Sequence, residues 1–253
     1  MTKYFLLIIF LMLIWGFFIE PHLIIIKKYK TNFLNRKKIV FVSDFHISKN
    51  DKGRLQRIVK LINAQNPDLV ISGGDYIKGH TGTVTLPIEE QAIILSEIKA
   101  PVVSVLGNHD GWYDRYRVKK ALEKAGIKVL LNSSVKEGDI YIAGVEDMQT
   151  GSPNIEAALE NTEFPRILVS HTPDIYYDVK EDVDLILAGH VHGGQVRVPF
   201  YGALLVPSIY GNKFSGGDYK ETPNRMIVTK GLGTSILGVR FNAVPEIVVL
   251  EDN

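Results

Sequence analysis

A chain of 253 residues is long enough for one large domain or two small ones, with a sizeable buried core in either case. Its 45% hydrophobic and 23% charged residues are ordinary for a globular protein, and a net charge of +1 argues against a strongly basic nucleic-acid surface. The absence of cysteine excludes disulfides, thiolate zinc sites and cysteine nucleophiles, and is compatible with either side of a membrane.

Tyr4 to Ile19 is an unbroken apolar run of 16 residues, and after Glu20-Pro21-His22 the apolar character resumes at Leu23 to Ile26. Spanning a bilayer takes ~20 apolar residues, so the run falls just short alone and suffices if its helix continues through Pro21. A cleaved signal peptide would carry a small-residue cleavage site, which is not seen after this core, and a soluble helix would carry a polar face. The expectation is an uncleaved membrane anchor with a basic linker over residues 1–37, followed by one globular domain over 38–253. Lys27, Lys28, Lys30, Arg36, Lys37 and Lys38 follow the run, against Lys3 before it. This asymmetry places the globular domain on the cytoplasmic face. The lysines would lie against anionic headgroups, or would form no more than a solvated linker.

Lys38 to Ser43 reads as a buried strand that runs into Asp44-Phe45-His46. Asp51 to Gln65 carries Leu55, Ile58, Val59 and Ile62 at helical spacing. Asp68 to Ser72 is a strand entering Gly73-Gly74-Asp75, and Pro87 to Ile98 is helical with Ile88, Ala92, Leu95 and Ile98 inward. Pro101 to Leu106 is a third strand, entering Gly107-Asn108-His109-Asp110, and a helix from Asp114 to Ala125 ends at Gly126. Lys128 to Leu131 and Asp139 to Val145 read as strands with no helix between them. Arg166 to Ser170 leads into His171, and Leu185 to Ala188 empties into Gly189-His190-Val191-His192-Gly193-Gly194. Arg225 to Thr229 and Glu246 to Leu250 are the clearest extended runs beyond. Strands alternating with helices imply a layered α/β architecture.

A His-X-His pair at a loop is by itself as readily a solvated turn as a metal site, and a lone Asp or Asn there usually caps a helix or closes a turn. Here an apolar run followed by Gly or Ser and then a ligand-type residue occurs at five strand ends. They present Asp44 and His46, Asp75, Asn108 with His109, His171, and His190 with His192. Ligand sites of open α/β sheets form at the carboxyl ends of strands, so the five ends can converge. Nitrogen and oxygen donors without sulfur suit Mn2+, Fe2+ or Zn2+. Ser43 and Ser170 lack a Gly-X-Ser-X-Gly elbow, the glycine pairs lack dinucleotide-binding spacing, and no His-Glu-X-X-His helix is present. His22 and His80 read as ordinary polar positions; Arg197 and Arg240 are candidate phosphate contacts by charge and position, with a surface role the favoured reading for both.

Asp44-X-His46, Gly74-Asp75, Gly107-Asn108-His109-Asp110, Ser170-His171 and Gly189-His190-Val191-His192 resemble the five blocks of the calcineurin-like metallophosphoesterases, in that family's order over roughly residues 39 to 192. The resemblance implies a β-sandwich flanked by helices and two divalent metal ions. Asp44, His46 and His192 would hold one ion, Asn108, His171 and His190 the other, with Asp75 bridging. It implies His109 as general acid, and leaves Asp110 to orient either His109 or a backbone turn. Gly193-Gly194-Gln195-Val196, Gly231 to Ser235 and Pro245-Glu246-Ile247 resemble more narrowly a membrane-anchored bacterial branch, some members of which hydrolyse UDP-2,3-diacylglucosamine to UMP and a lipid monophosphate in lipid A synthesis.

Between Val196 and Tyr219 the chain is rich in apolar residues, among them Leu204, Leu205, Val206 and Pro207. They would line an acyl-chain groove opening toward the membrane or pack on the sheet edge as ordinary core. The groove reading implies a membrane lipid or nucleotide-lipid substrate at the bilayer, and no nucleic-acid partner. The other readings are a broad-specificity or cyclic-nucleotide phosphodiesterase and, in a different class, a non-catalytic membrane-anchored scaffold. Retention of every ligand position and of His109 favours catalysis.

Overall fold

The structure is a computed structural model and describes residues 2–253. The N-terminal run is helical throughout: α1 (Thr2–Ile14) passes into a π turn (Trp15–Ile19) and a 3-10 turn (Glu20–His22). Pro21 sits in the first turn of that last element, where its missing N–H breaks no hydrogen bond. Lys3–His22 is thus a 20-residue helical stretch long and apolar enough to anchor in a membrane. Leu23 to Ile26 do not prolong it.

They lead into β1 (Ile25–Thr31), so the expected basic linker is a strand. There follow β2 (Ile39–Val42), α2 (Lys52–Ala64), β3 (Leu69–Ser72), α3 (Ile88–Leu95), β4 (Val102–Ser104), α4 (Asn108–Lys124) and β5 (Lys128–Val129). The second half contains β6 (Ser133–Glu137), β7 (Ile140–Gly144), α5 (Ile155–Leu159), β8 (Arg166–Val169), β9 (Leu185–Ala188) and the short hairpin of β10 (Arg197–Val198) and β11 (Gly202–Ala203). β12 (Gly217–Tyr219), β13 (Met226–Val228) and β14 (Glu246–Asp252) complete it.

Two six-stranded sheets face each other, in the orders β1-β14-β2-β3-β4-β5 and β12-β13-β9-β8-β7-β6. β2 to β5 are parallel, as are β7, β8, β9 and β13. Alternation along the strands explains the layers. Ile39, Phe41, Leu69 and Ile71 point between the sheets, against Ile142, Ile167, Val169, Leu185 and Leu187. The intervening Val40, Val42 and Val70 pack under Leu55, Ile58, Val59 and Ile62 of α2 and Ile94 and Leu95 of α3. On the far side, Leu168, Ile186 and Ala188 meet Ala158 and Leu159 of α5. Both faces of both sheets are covered, so the central strands read as continuous apolar runs. Each fully buried Val, Leu or Ile contributes about 1.5–3 kcal/mol to that packing. This is the helix-flanked sandwich that the sequence implies.

Two boundaries differ from expectation in ways that matter for the site. α4 begins at Asn108, six residues early, with a break at Asp114, whose ψ of 92° is non-helical. The Asn108-His109-Asp110 block therefore forms a helical first turn. β6, which pairs antiparallel with β7, is missed because its Ser133-Ser134-Val135-Lys136-Glu137 sequence carries only one apolar residue.

Candidate metal centre

Every expected site residue lies just beyond the C-terminal end of a parallel strand. Asp44 and His46 follow β2, Asp75 follows β3, Asn108 and His109 follow β4, His171 follows β8, and His190 and His192 follow β9. The two sheets thus deliver their ligand-type residues to one edge of the sandwich. The loops are tied to one another: Asp44 N donates to Gly74 O at 2.9 Å, His46 N to Asp75 O at 3.1 Å, and Gly189 N to His171 O at 2.8 Å. Asp44, His46, Asp75, His190 and His192 all hold positive φ, between 41° and 70°. L-residues resist that region, and such strain persists only where surrounding contacts determine the backbone, as at functional sites.

The seven expected ligands are all buried. Asp44, His46 and His192 form one cluster of converging donor atoms, and Asp75, His171 and His190 another. In the first, His46 Nε2 lies 3.2 Å from His192 Nε2, and His192 Nε2 lies 3.5 Å from Asp44 Oδ1. In the second, His171 Nε2 lies 2.9 Å from Asn108 Oδ1 and 3.2 Å from His190 Nδ1. Asp75 Oδ2 stands between them, 3.3 Å from both His46 Nε2 and His171 Nε2.

The chemistry of these atoms fits divalent cations. His46 Nδ1 and His171 Nδ1 lie 2.7 Å from Ile77 O and Gly73 O, carbonyls that can only accept, so each Nδ1 carries a proton and each Nε2 faces inward as the atom that would bind a metal in place of a proton. Asp75 Oδ2 is buried and has no hydrogen-bond partner among the described residues. Donor atoms directed at one another around an unsatisfied carboxylate oxygen are arranged for a positive charge at their centre. The electrostatics agree. Burial opposes ionisation of Asp75, yet His171 and His46 hold its carboxyl well below the usual range. Burial likewise opposes a charge on His171, but Asp75 and Asp44 outweigh it and raise the imidazole to about 10. Burial and the neighbouring His171 push His190 down to about 3.

His109 sits beside this centre. Its backbone N–H donates to Asp75 Oδ1 at 2.9 Å, its Nδ1 lies 2.9 Å from Gly79 O, and its Nε2 lies 3.5 Å from Ser235 Oγ. Among the described residues the His109 ring pairs with Gly79 O and Ser235 Oγ and makes no hydrogen bond with Asp110. Asp110 accepts backbone N–H groups of the Asp75 turn, so the turn-orienting alternative is the one observed.

Several residues near the site were not singled out from the sequence. The Gln149 amide lies 3.3 Å from His190 Nε2. His80, expected to be an ordinary polar position, lines the cavity and packs at a tilt against Trp112, with ring centroids 4.5 Å apart. Arg240 corrects the expectation of a surface role, because it is completely buried behind His192. Arg197 is half-buried and donates to Gly193 O and Ser215 Oγ. No motif flagged Gln149 or Arg240, since neither adjoins a ligand block in sequence.

A cavity of about 760 Å³ opens over the centre, with Asp75, Asn108, His190 and His192 at its polar end. Leu204, Leu205, Val206, Pro207, Leu237 and Val239 line its apolar side. The two readings of the 196–219 segment divide between its parts: Leu204 to Pro207 face the cavity, whereas Phe214 packs in the core beneath the second sheet, with Tyr210 against it.

The model of the calcineurin-like phosphoesterase family matches residues 37–194. Over 226 residues the chain is 34% identical to the uncharacterized metallophosphoesterase YkuE of Bacillus subtilis, covering 84% of this chain and 77% of that protein. Over 225 residues it is 30% identical to the phosphodiesterase YaeI of Escherichia coli, covering 85% and 81% respectively. A Danio rerio relative described as a transmembrane protein with metallophosphoesterase domain is 30% identical over 244 residues, 85% of this chain and 52% of the relative.

Proposed function

The chain belongs to the calcineurin-like phosphoesterase family, and from that premise we propose that this metal-dependent phosphoesterase cleaves an amphiphilic phosphodiester or pyrophosphate presented by a membrane. The observation that carries the proposal is the cavity, whose polar end is the candidate metal centre and whose side is apolar. Val239 of that apolar side packs against Gly16 at the end of the N-terminal helix, so the cavity adjoins the apolar anchor. UDP-2,3-diacylglucosamine combines a nucleotide pyrophosphate with acyl chains and is the specific substrate proposed. Attack of water on one phosphorus would break the pyrophosphate bridge, releasing UMP and leaving a lipid monophosphate.

In this reading Asp44, His46 and His192 hold one ion, Asn108, His171 and His190 hold the second, and Asp75 lies between. Bound divalent ions supply Lewis acidity toward the phosphoryl oxygens and a nucleophile from water at neutral pH. Asn108 contributes a neutral oxygen, which keeps the ligand charge low. His109 Nδ1 is tied to Gly79 O, so Nε2, 3.5 Å from Ser235 Oγ, is the atom that would pass a proton to the departing oxygen from the doubly protonated ring, a form that burial disfavours. The apolar side takes the acyl chains and excludes water from the reacting phosphorus. The excess of Lys and Arg after the helix supports placement of the domain on the cytoplasmic face, which protease accessibility in sealed vesicles would check.

Full-length protein in detergent with Mn2+ should release UMP from UDP-2,3-diacylglucosamine far faster than it cleaves a water-soluble chromogenic diester. The name of the YaeI relative supports a second reading, a broad-specificity or cyclic-nucleotide phosphodiesterase. Efficient turnover of soluble diesters with no UMP release would select it.

A further inference from the structure

Two charged side chains outside the cavity are buried almost without exposure, Glu20 at 1% and Arg240 at 0%, and both lie on the path from the N-terminal helix to His192. Glu20 ends the helical run, yet its carboxylate turns into the domain. Oε1 accepts Ala243 N at 2.6 Å, and Oε2 accepts Asn242 N at 3.0 Å and Trp15 Nε1 at 2.6 Å. One turn earlier, Gly16 O accepts Arg240 N at 2.9 Å. The helix thereby grips both ends of the 240–243 loop.

From that loop the Arg240 guanidinium points inward. Nη1 donates to His192 O at 3.1 Å, Lys230 O at 2.8 Å and Ala243 O at 2.9 Å, Nε donates to Gly233 O at 3.1 Å, and Nη2 donates to the same carbonyl. Nη2 also lies 3.3 Å from His192 Nδ1. His192 holds a φ of 52°, a backbone conformation that L-residues resist and that surrounding contacts must maintain. The His46 and His171 rings donate Nδ1–H to backbone carbonyls, whereas Arg240, which can only donate, holds His192 through its backbone carbonyl. Burying a guanidinium is costly unless its donors are met, and the carbonyls around Arg240 meet them through its planar fork.

We propose that Arg240 is a positioning residue for His192, and that the N-terminal helix, through Gly16 and Glu20, is a structural part of one metal site as well as a tether. The inference rests on the two-metal reading given above. It places the dependence at the ion held by Asp44, His46 and His192, and leaves the ion held by Asn108, His171 and His190 untouched.

The test is a Mn2+ binding isotherm on full-length protein in detergent, read by electron paramagnetic resonance of free Mn2+. Arg240→Lys keeps the charge and loses the fork. Glu20→Gln keeps the shape but replaces one acceptor oxygen with an amide nitrogen. Both should weaken one of two ions, Arg240→Lys by roughly 10- to 100-fold, the scale expected when a partner orienting a metal ligand is removed, and Glu20→Gln by less. Two ions bound with wild-type affinity in both variants would overturn the proposal, and so would equal weakening of both ions. If Arg240→Lys fails to fold, Glu20→Gln decides alone by the same criteria. A wild-type protein that binds fewer than two ions would instead remove the two-metal reading itself.

Discussion

Asp110 accepts the backbone N–H of Asp75 at 2.9 Å, and its two oxygens also accept Tyr76 N at 2.9 Å, Ile77 N at 3.2 Å and Gly107 N at 3.0 Å. One buried carboxylate thus fixes the turn after β3 to the turn after β4, and holds Asp75 at a φ of 59°. In Asp110→Asn the amide nitrogen cannot accept, which strands up to half of these donors at about 1–3 kcal/mol for each one left unpaired. Thermal unfolding should show that loss, and metal affinity should fall while the rate at saturating metal changes little. A variant with wild-type stability and metal affinity would contradict this role.

His109→Ala should retain metal and lose rate. General acid catalysis by a positioned imidazole is worth roughly 10²- to 10⁴-fold, and the loss should be greatest for a poor leaving group. With a nitrophenyl ester, whose leaving oxygen needs little protonation, the defect should shrink. An equal defect across leaving groups would point to packing and not to proton transfer.

Gly189 is required by close approach. A Cβ placed there would overlap Ser43 Oγ and sit 2.7 Å from Asp44 Oδ2. Gly189→Ala should therefore displace Asp44 and weaken the ion proposed at that cluster. Metal titration of a folded variant that matches wild type would exclude this effect.

Removal of metal should leave a pH-dependent protein. In the metal-free chain, the Asp75 and Asp44 carboxylates raise His171 to about 10, above its ordinary value of 6.5. A raised histidine contributes stability that is fully present below about 6.5 and is lost as pH rises through about 10. The unfolding midpoint of chelator-treated protein should decline across that interval. Metal replaces the proton at this centre, so metal-loaded protein should unfold at higher temperature and show a weaker decline, with uptake releasing protons. A metal-free midpoint independent of pH between 7 and 10 would contradict the charge arrangement.

The ligand-type residues were legible because each follows a short apolar run into a glycine or serine, a pattern that places it at a strand end whatever the topology. What fixes those residues was not legible, because the partners are distant backbone groups. Asp110 reaches 35 positions back to Asp75, Arg240 reaches 48 back to His192, and Glu20 reaches 223 forward to Ala243. Backbone acceptors and donors carry no sequence signature. The start of α4 was misplaced for a related reason, since Gly107-Asn108-His109-Asp110 has turn composition and becomes helical only with Asp110 capping the turn. The lysines of β1 suit a solvated segment, so the sequence alone implies a linker there. They equally suit the edge strand it is, where charge discourages further pairing.

The central claim, a two-ion centre shared through Asp75, is tested most directly by an anomalous difference map at the manganese edge from crystals grown with Mn2+. Two peaks are expected, one among Asp44, His46 and His192 and one among Asn108, His171 and His190, both bonded to Asp75. A single peak, or peaks that leave Asp75 unbonded, would contradict it.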